Sequence, residues 1–202
     1  MLFNQAKFLF ALVALLALMT TVLSVNLHQH TRPNCHGKRA SCTRLHPRVC
    51  CKSPRNFASG SCQGCTSTDF HLTWNSSGRK SCGRNAKSTN GGRCLSGNSN
   101  LRGHSWCRLC RTKREEDGES ATCTSSVEPS VLEIGTRWFQ LNDTMAVEHK
   151  DALWDLWHRE AEDADVQEHL LAYQGEMPSE EEGMIETRAD APLGDEVDED
   201  PE

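Results

Sequence analysis

Apolar positions are spread unevenly along the chain, and the first cluster differs from the rest. Phe8 to Met19 is an unbroken apolar run preceded by Lys7 and ended by Thr20, Thr21 and Ser24. A short positive segment, an apolar stretch and a cleavage region are the parts of a secretory signal peptide. We expect one over residues 1–24, cut after Ser24, with the mature chain starting at Val25. The competing reading is a membrane anchor, but the polar residues end the run near the length a span needs. No later apolar stretch approaches that length. The mature chain is therefore expected to be secreted and extracellular, with no transmembrane segment.

Beyond the signal, the pattern favours strands. Residues 25–34 are polar and predict a loose start. Phe70-His71-Leu72-Thr73-Trp74 alternates apolar and polar, the period of a half-buried strand. Asn75-Ser76-Ser77-Gly78 then reads as a turn, with Arg79-Lys80-Ser81-Cys82 returning as its partner strand. Asn90-Gly91-Gly92 is a second turn signal. Helix remains open as an alternative over Leu101–Leu109. Further on, Val131–Leu141 reads as strand sequence, and Asp143 or Thr144 would cap a helix running to about Ala161. Leu153, Leu156 and Trp157 form its apolar face, with His149 and Glu160 at the edges, and Val166, Leu170 and Tyr173 predict one further short helix. After Gln174 the chain is acidic and poor in aromatics, a composition that does not fold.

The cysteines change this picture from a weak fold to a stapled one. Cys35, Cys42, Cys50, Cys51, Cys62, Cys65, Cys82, Cys94, Cys107 and Cys110 lie within a segment poor in large aliphatic residues. A core this thin does not offset chain entropy unaided, whereas disulfides contribute on the order of 2–4 kcal/mol each. Export makes these ten residues disulfide candidates. Cys50 and Cys51 are neighbours, with Cα atoms about 3.8 Å apart, below the disulfide range, so they must bond different partners. The eleventh cysteine, Cys123, is the unpaired candidate.

Charge then divides the chain. Residues 25–114 carry 17 Lys/Arg and one acid, Asp69, a net of +16, while residues 115–202 carry 27 Asp/Glu against four basic residues, a net of −23. The boundary is the dibasic pair Lys113-Arg114, which suits a kexin-type processing protease and which also separates ten cysteines from one. The expected organisation is a signal peptide (1–24), a basic disulfide-stapled module (25–114), a linker (115–130), a small strand-plus-helix segment (131–174) and a disordered acidic tail (175–202). The fold class is a small disulfide-rich, β-rich and loop-rich module followed by a small α+β segment.

Chemistry narrows by exclusion. A lone Asp69 in the module rules out paired-carboxylate glycosidase chemistry there. No Ser/His/Asp motif or phosphate loop occurs. Cys62-Gln63-Gly64-Cys65 and Cys107-Arg108-Leu109-Cys110 are both C-x-x-C, a zinc-ligand spacing, but the 41 residues between them exceed the usual loop of roughly 15–20. We expect neither metal nor cofactor. His36, His46, His71 and His104 among basic residues leave a secreted ribonuclease as a lower alternative. Asn75-Ser76-Ser77 and Asn142-Asp143-Thr144 are glycosylation acceptors. The module's positive field favours anionic membrane or cell-wall surfaces, with Arg79, Lys80, Arg84, Arg102, Arg108 and Arg111 as contact candidates. Trp74, Trp106 and Phe57 are expected in the core rather than at such an interface.

The whole layout resembles fungal small secreted cysteine-rich proteins of effector or antimicrobial type. A narrower resemblance is to the calcium-channel-blocking fungal killer toxins. It rests on Asn34-Cys35-His36-Gly37, Lys80-Ser81-Cys82-Gly83 and Cys107-Arg108-Leu109-Cys110. It implies a role in toxicity for Lys80. The chain departs from that family at Arg111-Thr112, at Cys50-Cys51 and in lacking a closing strand with a last cysteine. The resulting expectation is a secreted cationic protein, not an enzyme, that adsorbs to anionic surfaces. Its acidic segment would neutralise the module by intramolecular pairing and be released after Arg114. The alternative is an uncleaved two-part structural or interaction protein.

Overall fold

The computed structural model describes residues 24–77, 80–108, 110 and 123–176, without the side chains of residues 77, 80, 81, 98 and 99. The expected signal peptide, the dibasic pair and nearly all of the acidic tail lie outside the described residues. Ten strands form one sheet: β1 (Val25–His30), β2 (Arg39–Leu45), β3 (Val49–Gln63), β4 (Asp69–Ser77), β5 (Lys80–Asn90), β6 (Leu95–Arg108), β7 (Ser125–Val127), β8 (Val131–Ile134), β9 (Arg137–Gln140) and β10 (Gln174–Gly175). Their order is β10-β9-β8-β2-β1-β3-β6-β4-β5, with β7 pairing parallel to β3 outside that path. A single α-helix among the described residues, α1 (Val147–His158), completes the small C-terminal part. The protein is thus a disulfide-rich β fold.

The N-terminal segment departs from its sequence expectation. Residues 25–30 are not loose: β1 lies between β2 and β3 and pairs antiparallel with both. The reason is alternation that composition hides. Val25 and Leu27 are buried apolar positions, and Gln29 continues the same period. Gln29 is tolerated there because its Nε2 donates to the Cys51 carbonyl at 2.8 Å.

Two other boundaries move. The expected strand over Val131–Leu141 is a hairpin of β8 and β9, because Gly135 turns the chain at φ +59°. Asp163 fixes this turn by accepting the Thr136 backbone N–H at 2.8 Å and its hydroxyl at 2.6 Å. The helix begins at Val147 rather than Asp143 or Thr144. Asn142 Oδ1 accepts from the Thr144 N–H at 3.1 Å and from its hydroxyl at 2.8 Å, so these residues form a turn before the helix. The turn expected over 75–78 also shifts: Asn75 pairs with Arg84 and Leu101 inside the sheet, and β4 runs on to Ser77. Leu101–Arg108 belongs to a strand, not a helix. The last short helix is 3-10, at Glu168–Tyr173.

The largest core cluster spans both parts of the chain. Ala40, Phe57 and Leu101 from the basic part pack with Leu132, Ile134, Phe139, Leu153, Trp154, Trp157 and Leu170 from the acidic part. A second cluster, around Leu27, Cys42, Cys51 and Trp106, belongs to the basic part, and a third gathers Leu72, Trp74 and Cys107. Trp106 is held by an Nε1 donation to the Leu45 carbonyl at 2.8 Å. Trp74, Trp106 and Phe57 are all buried.

Candidate functional site

The candidate functional residues fall into a basic edge, a buried histidine pair and a cysteine framework. The strand order sets the charge layout. Acidic side chains after residue 115 reach the elements at the β8 side of the sheet. Arg32 pairs with Glu160, Arg39 with Glu133 at 2.8 Å, and Arg55 with Asp155 at 2.5 Å. Lys52 and Lys150 flank Glu128 at 3.6 and 3.5 Å. Arg39 also lies 4.7 Å from the centre of the Trp138 ring. Glu160 feels burial pushing its pKa up, but hydrogen bonds from Arg32 and Thr31 hold it below the ordinary carboxylate value. Asp163 is lowered chiefly by its hydrogen bonds from Thr136.

At the opposite end, β5 carries Arg84 and Lys87, and β6 carries Arg102 and Arg108. Among the described residues no acid pairs with Arg84, Lys87 or Arg102, and Arg108 reaches Asp69 at 3.7 Å. Asp69 is itself buried and turned inward, accepting the Thr66 N–H and hydroxyl at 2.8 Å. β5 is the edge strand, and Arg84 and Lys87 are exposed on it. Lysine and arginine on an open edge also discourage strand addition by another chain. Lys87 donates to the Ser96 carbonyl at 2.5 Å and Arg102 to Asn56 at 3.4 Å. Arg79, Arg111, Lys113, Arg114 and the side chain of Lys80 lie outside the described residues.

The histidines expected as possible acid–base groups do not share one environment. His71 Nδ1 lies 2.9 Å from His104 Nε2, and His71 Nε2 lies 2.7 Å from the Arg93 carbonyl. A carbonyl only accepts, so His71 is protonated on Nε2, and His104 donates its Nε2–H to His71 Nδ1. Both rings are buried. Burial lowers the His71 pKa to about 4, partly opposed by the Arg93 carbonyl. His104 is pushed well down by burial and by neighbouring histidines. Gly60 makes room for this ring, because a Cβ there would meet the His104 imidazole at 2.9 Å. His36 and His46 are not joined to this pair by any hydrogen bond among the described residues. A buried neutral dyad without solvent access is poorly placed to cleave RNA.

The ten cysteines pair as Cys35–Cys94, Cys42–Cys51, Cys50–Cys82, Cys62–Cys65 and Cys107–Cys110. The adjacent Cys50 and Cys51 point to β5 and β2 respectively, binding three strands at one place. Both C-x-x-C motifs close on themselves, which leaves neither available as a zinc clamp. Cys123 is free. Ser24 is exposed just ahead of β1, and Asn142 is exposed in the turn before α1.

A protein-family profile for an N-terminal domain, ARB_05566_N, matches residues 25–130, just over half of the 202 residues. The chain belongs to that family. Searches of curated proteins and of solved structures gave no match. The ARB_05566_N domain begins at the first residue of β1. It runs past the dibasic pair to take in Cys123 and β7. The domain therefore includes the parallel pairing of β7 with β3, from Val49↔Ser125 to Cys51↔Val127.

Sequence reading missed the central position of β1, the burial of His71 and His104, and the core shared by the two charge halves. The Val25/Leu27/Gln29 alternation was a usable signal for the first. Nothing local announces the other two, since both depend on which strands become neighbours. Among the described residues no helix is long and apolar enough to cross a membrane.

Proposed function

We propose that this is a secreted cationic protein that adsorbs to anionic membrane or cell-wall surfaces through the β4–β5 edge, with its acidic part retained as a folded partner. The observation that carries this reading is the uneven neutralisation of the basic module. Acidic partners reach Arg32, Arg39, Lys52 and Arg55, whereas Arg84, Lys87 and Arg102 have no acid partner among the described residues. The acidic part thus quiets one end of the sheet and leaves the other positive. Secretion is supported by the signal-like N-terminus, by five disulfides and by a family domain that starts at Val25. Toxin, antimicrobial or effector activity would be the consequence of such adsorption.

Retention replaces release as the preferred role of the acidic segment. Residues 131–132 pair with Ser41 and Ala40, and the helix covers Phe57. A cut after Arg114 would leave these contacts in place, so the product would be two pieces of one fold. Vesicle binding by the intact secreted chain tests the proposal. Each basic residue near an anionic surface contributes about 1 kcal/mol, so Arg84→Gln with Lys87→Gln should weaken binding by roughly thirtyfold. Binding should also fall steeply with salt. Equal binding to neutral and anionic vesicles would overturn the reading.

A further inference from the structure

The free thiol has company. The Sγ atoms of Cys50, Cys82 and Cys123 all lie within 4.8 Å of one another. Cys50 and Cys82 are bonded, so Cys123 sits beside an existing disulfide rather than in isolation. The chain immediately after it is anchored. The Thr124 N–H donates to the Arg48 carbonyl at 2.9 Å, and β7 then pairs with β3 from Ser125 onward. The thiol itself packs among Leu72, Trp74 and Cys107 and interacts with Ser105, whose hydroxyl accepts the Trp74 indole N–H at 2.8 Å.

We propose that Cys123 is a built-in exchange partner of the Cys50–Cys82 disulfide, giving a second covalent form with a Cys50–Cys123 bond. The Cys123 thiolate attacks Cys50 Sγ, an S–S bond forms between 50 and 123, and the 50–82 bond breaks. Cys82 departs as a thiolate and takes up the proton that Cys123 released. One disulfide and one thiol exist before and after, so no oxidant is needed. Cys82 is the preferred leaving group because it is half-buried on the edge strand β5, whereas Cys50 is 1 % exposed in β3. Burial raises the Cys123 pKa, with the Ser105 hydroxyl opposing, so the thiol form predominates at neutral pH and exchange accelerates in base.

The two forms differ in what they tie together. Cys50–Cys82 staples β3 to the basic edge strand. Cys50–Cys123 would join β3 to residues beyond Lys113-Arg114 and free the edge strand from its staple. A chain cut at the dibasic pair would then remain covalently linked in that form.

The test is thiol mapping of the intact secreted chain. Samples held at pH 6 and pH 8.5 are quenched in acid, alkylated in denaturant with N-ethylmaleimide and digested without reduction. The expected result is label on Cys123 at first, then growing label on Cys82 with a Cys50–Cys123 cross-linked peptide. The rate should rise roughly tenfold per pH unit while the thiol is mostly protonated and should not change with protein concentration. Label confined to Cys123 at every time and pH overturns the proposal. A second variant, Cys82→Ser, should lose ten hydrogens on oxidation by forming Cys50–Cys123. Recovery of that variant folded, with both thiols free, would also overturn it. If the variant does not fold, the mapping of the native chain decides.

Discussion

His30, His71 and His104 are buried residues whose charged forms the fold disfavours. Burial takes the His30 pKa down to about 3, with His28 and Arg39 adding to the effect, and takes His71 to about 4. The groups facing them include His28 and His36 near His30, and Arg93 through its carbonyl near His71. An imidazole with a depressed native pKa binds its proton more tightly in the unfolded chain. Stability is therefore full above the ordinary value of 6.5 and falls as pH drops towards 4 and then 3. Each histidine contributes up to about 1.4 kcal/mol per pH unit in that window. Urea unfolding followed from pH 7.5 to 4.5 should show a falling midpoint, and His104→Gln should flatten the fall even if it lowers the starting stability. The carboxylates do not mimic this, because Glu160 begins to lose its advantage only below its ordinary value of 4.5. A flat profile above pH 5 would refute the assignment. None of this could be read from six histidines in a basic segment, since a solvated and a buried histidine look alike until strand neighbours are known.

At the level of elements, the β8–β9 hairpin extends the sheet beyond β2, and α1 packs against it. Trp154 and Trp157 are both nearly inaccessible and meet edge to face, with ring centres 5.3 Å apart. Replacing Trp157 by Ala should cost about 3–5 kcal/mol, the range for truncating a large buried aromatic. The loss should be felt in the basic part as well, because Phe57 and Leu101 share the same cluster. Hydrogen exchange measured on β3 and β6 would show it: protection there should fall together with protection in α1. Independent behaviour of the two regions would mean that the shared cluster is not cooperative. The helix, its Leu153/Leu156/Trp157 face and the β4 alternation were legible because each follows a local period. β1 was less legible because its Val25/Leu27 period continues into Gln29, while Asn26, His28 and His30 occupy the other face. The start of β5 was legible as the return strand at Lys80–Cys82, but the rest of β5 and β6 was not, being rich in Gly, Ser and Asn. Disulfides from Cys50 to Cys82 and from Cys35 to Cys94 fix those strands where propensity does not.

On the scale of the whole molecule, two forces join the charge halves, and salt separates them. If ion pairing between the basic module and the acidic part dominates, screening should dissolve the union, since the Debye length shrinks to about 3 Å at 1 M salt. The geometry argues otherwise. The ion pairs at Arg32, Arg39 and Arg55 involve exposed or half-exposed groups, and such pairs contribute about 0–1 kcal/mol each. The apolar side is larger: Leu132, Ile134, Phe139, Leu153, Trp157 and Leu170 are fully buried, and full burial of such side chains is worth about 1.5–3 kcal/mol each. Strand pairing of β8 with β2 and of β7 with β3 adds backbone hydrogen bonds that salt does not screen. A chain cut after Arg114 by a kexin-type protease should therefore co-elute as one species on size exclusion at both 0.1 and 1 M salt. The Cys123→Ser variant should do the same, which separates this prediction from disulfide exchange. Dissociation at high salt would restore electrostatic neutralisation as the bond between the halves, and with it a releasable acidic segment. Persistence would mean that the charge split reflects a division of labour within one fold, with the acidic end anchoring and the basic edge left free to meet its surface.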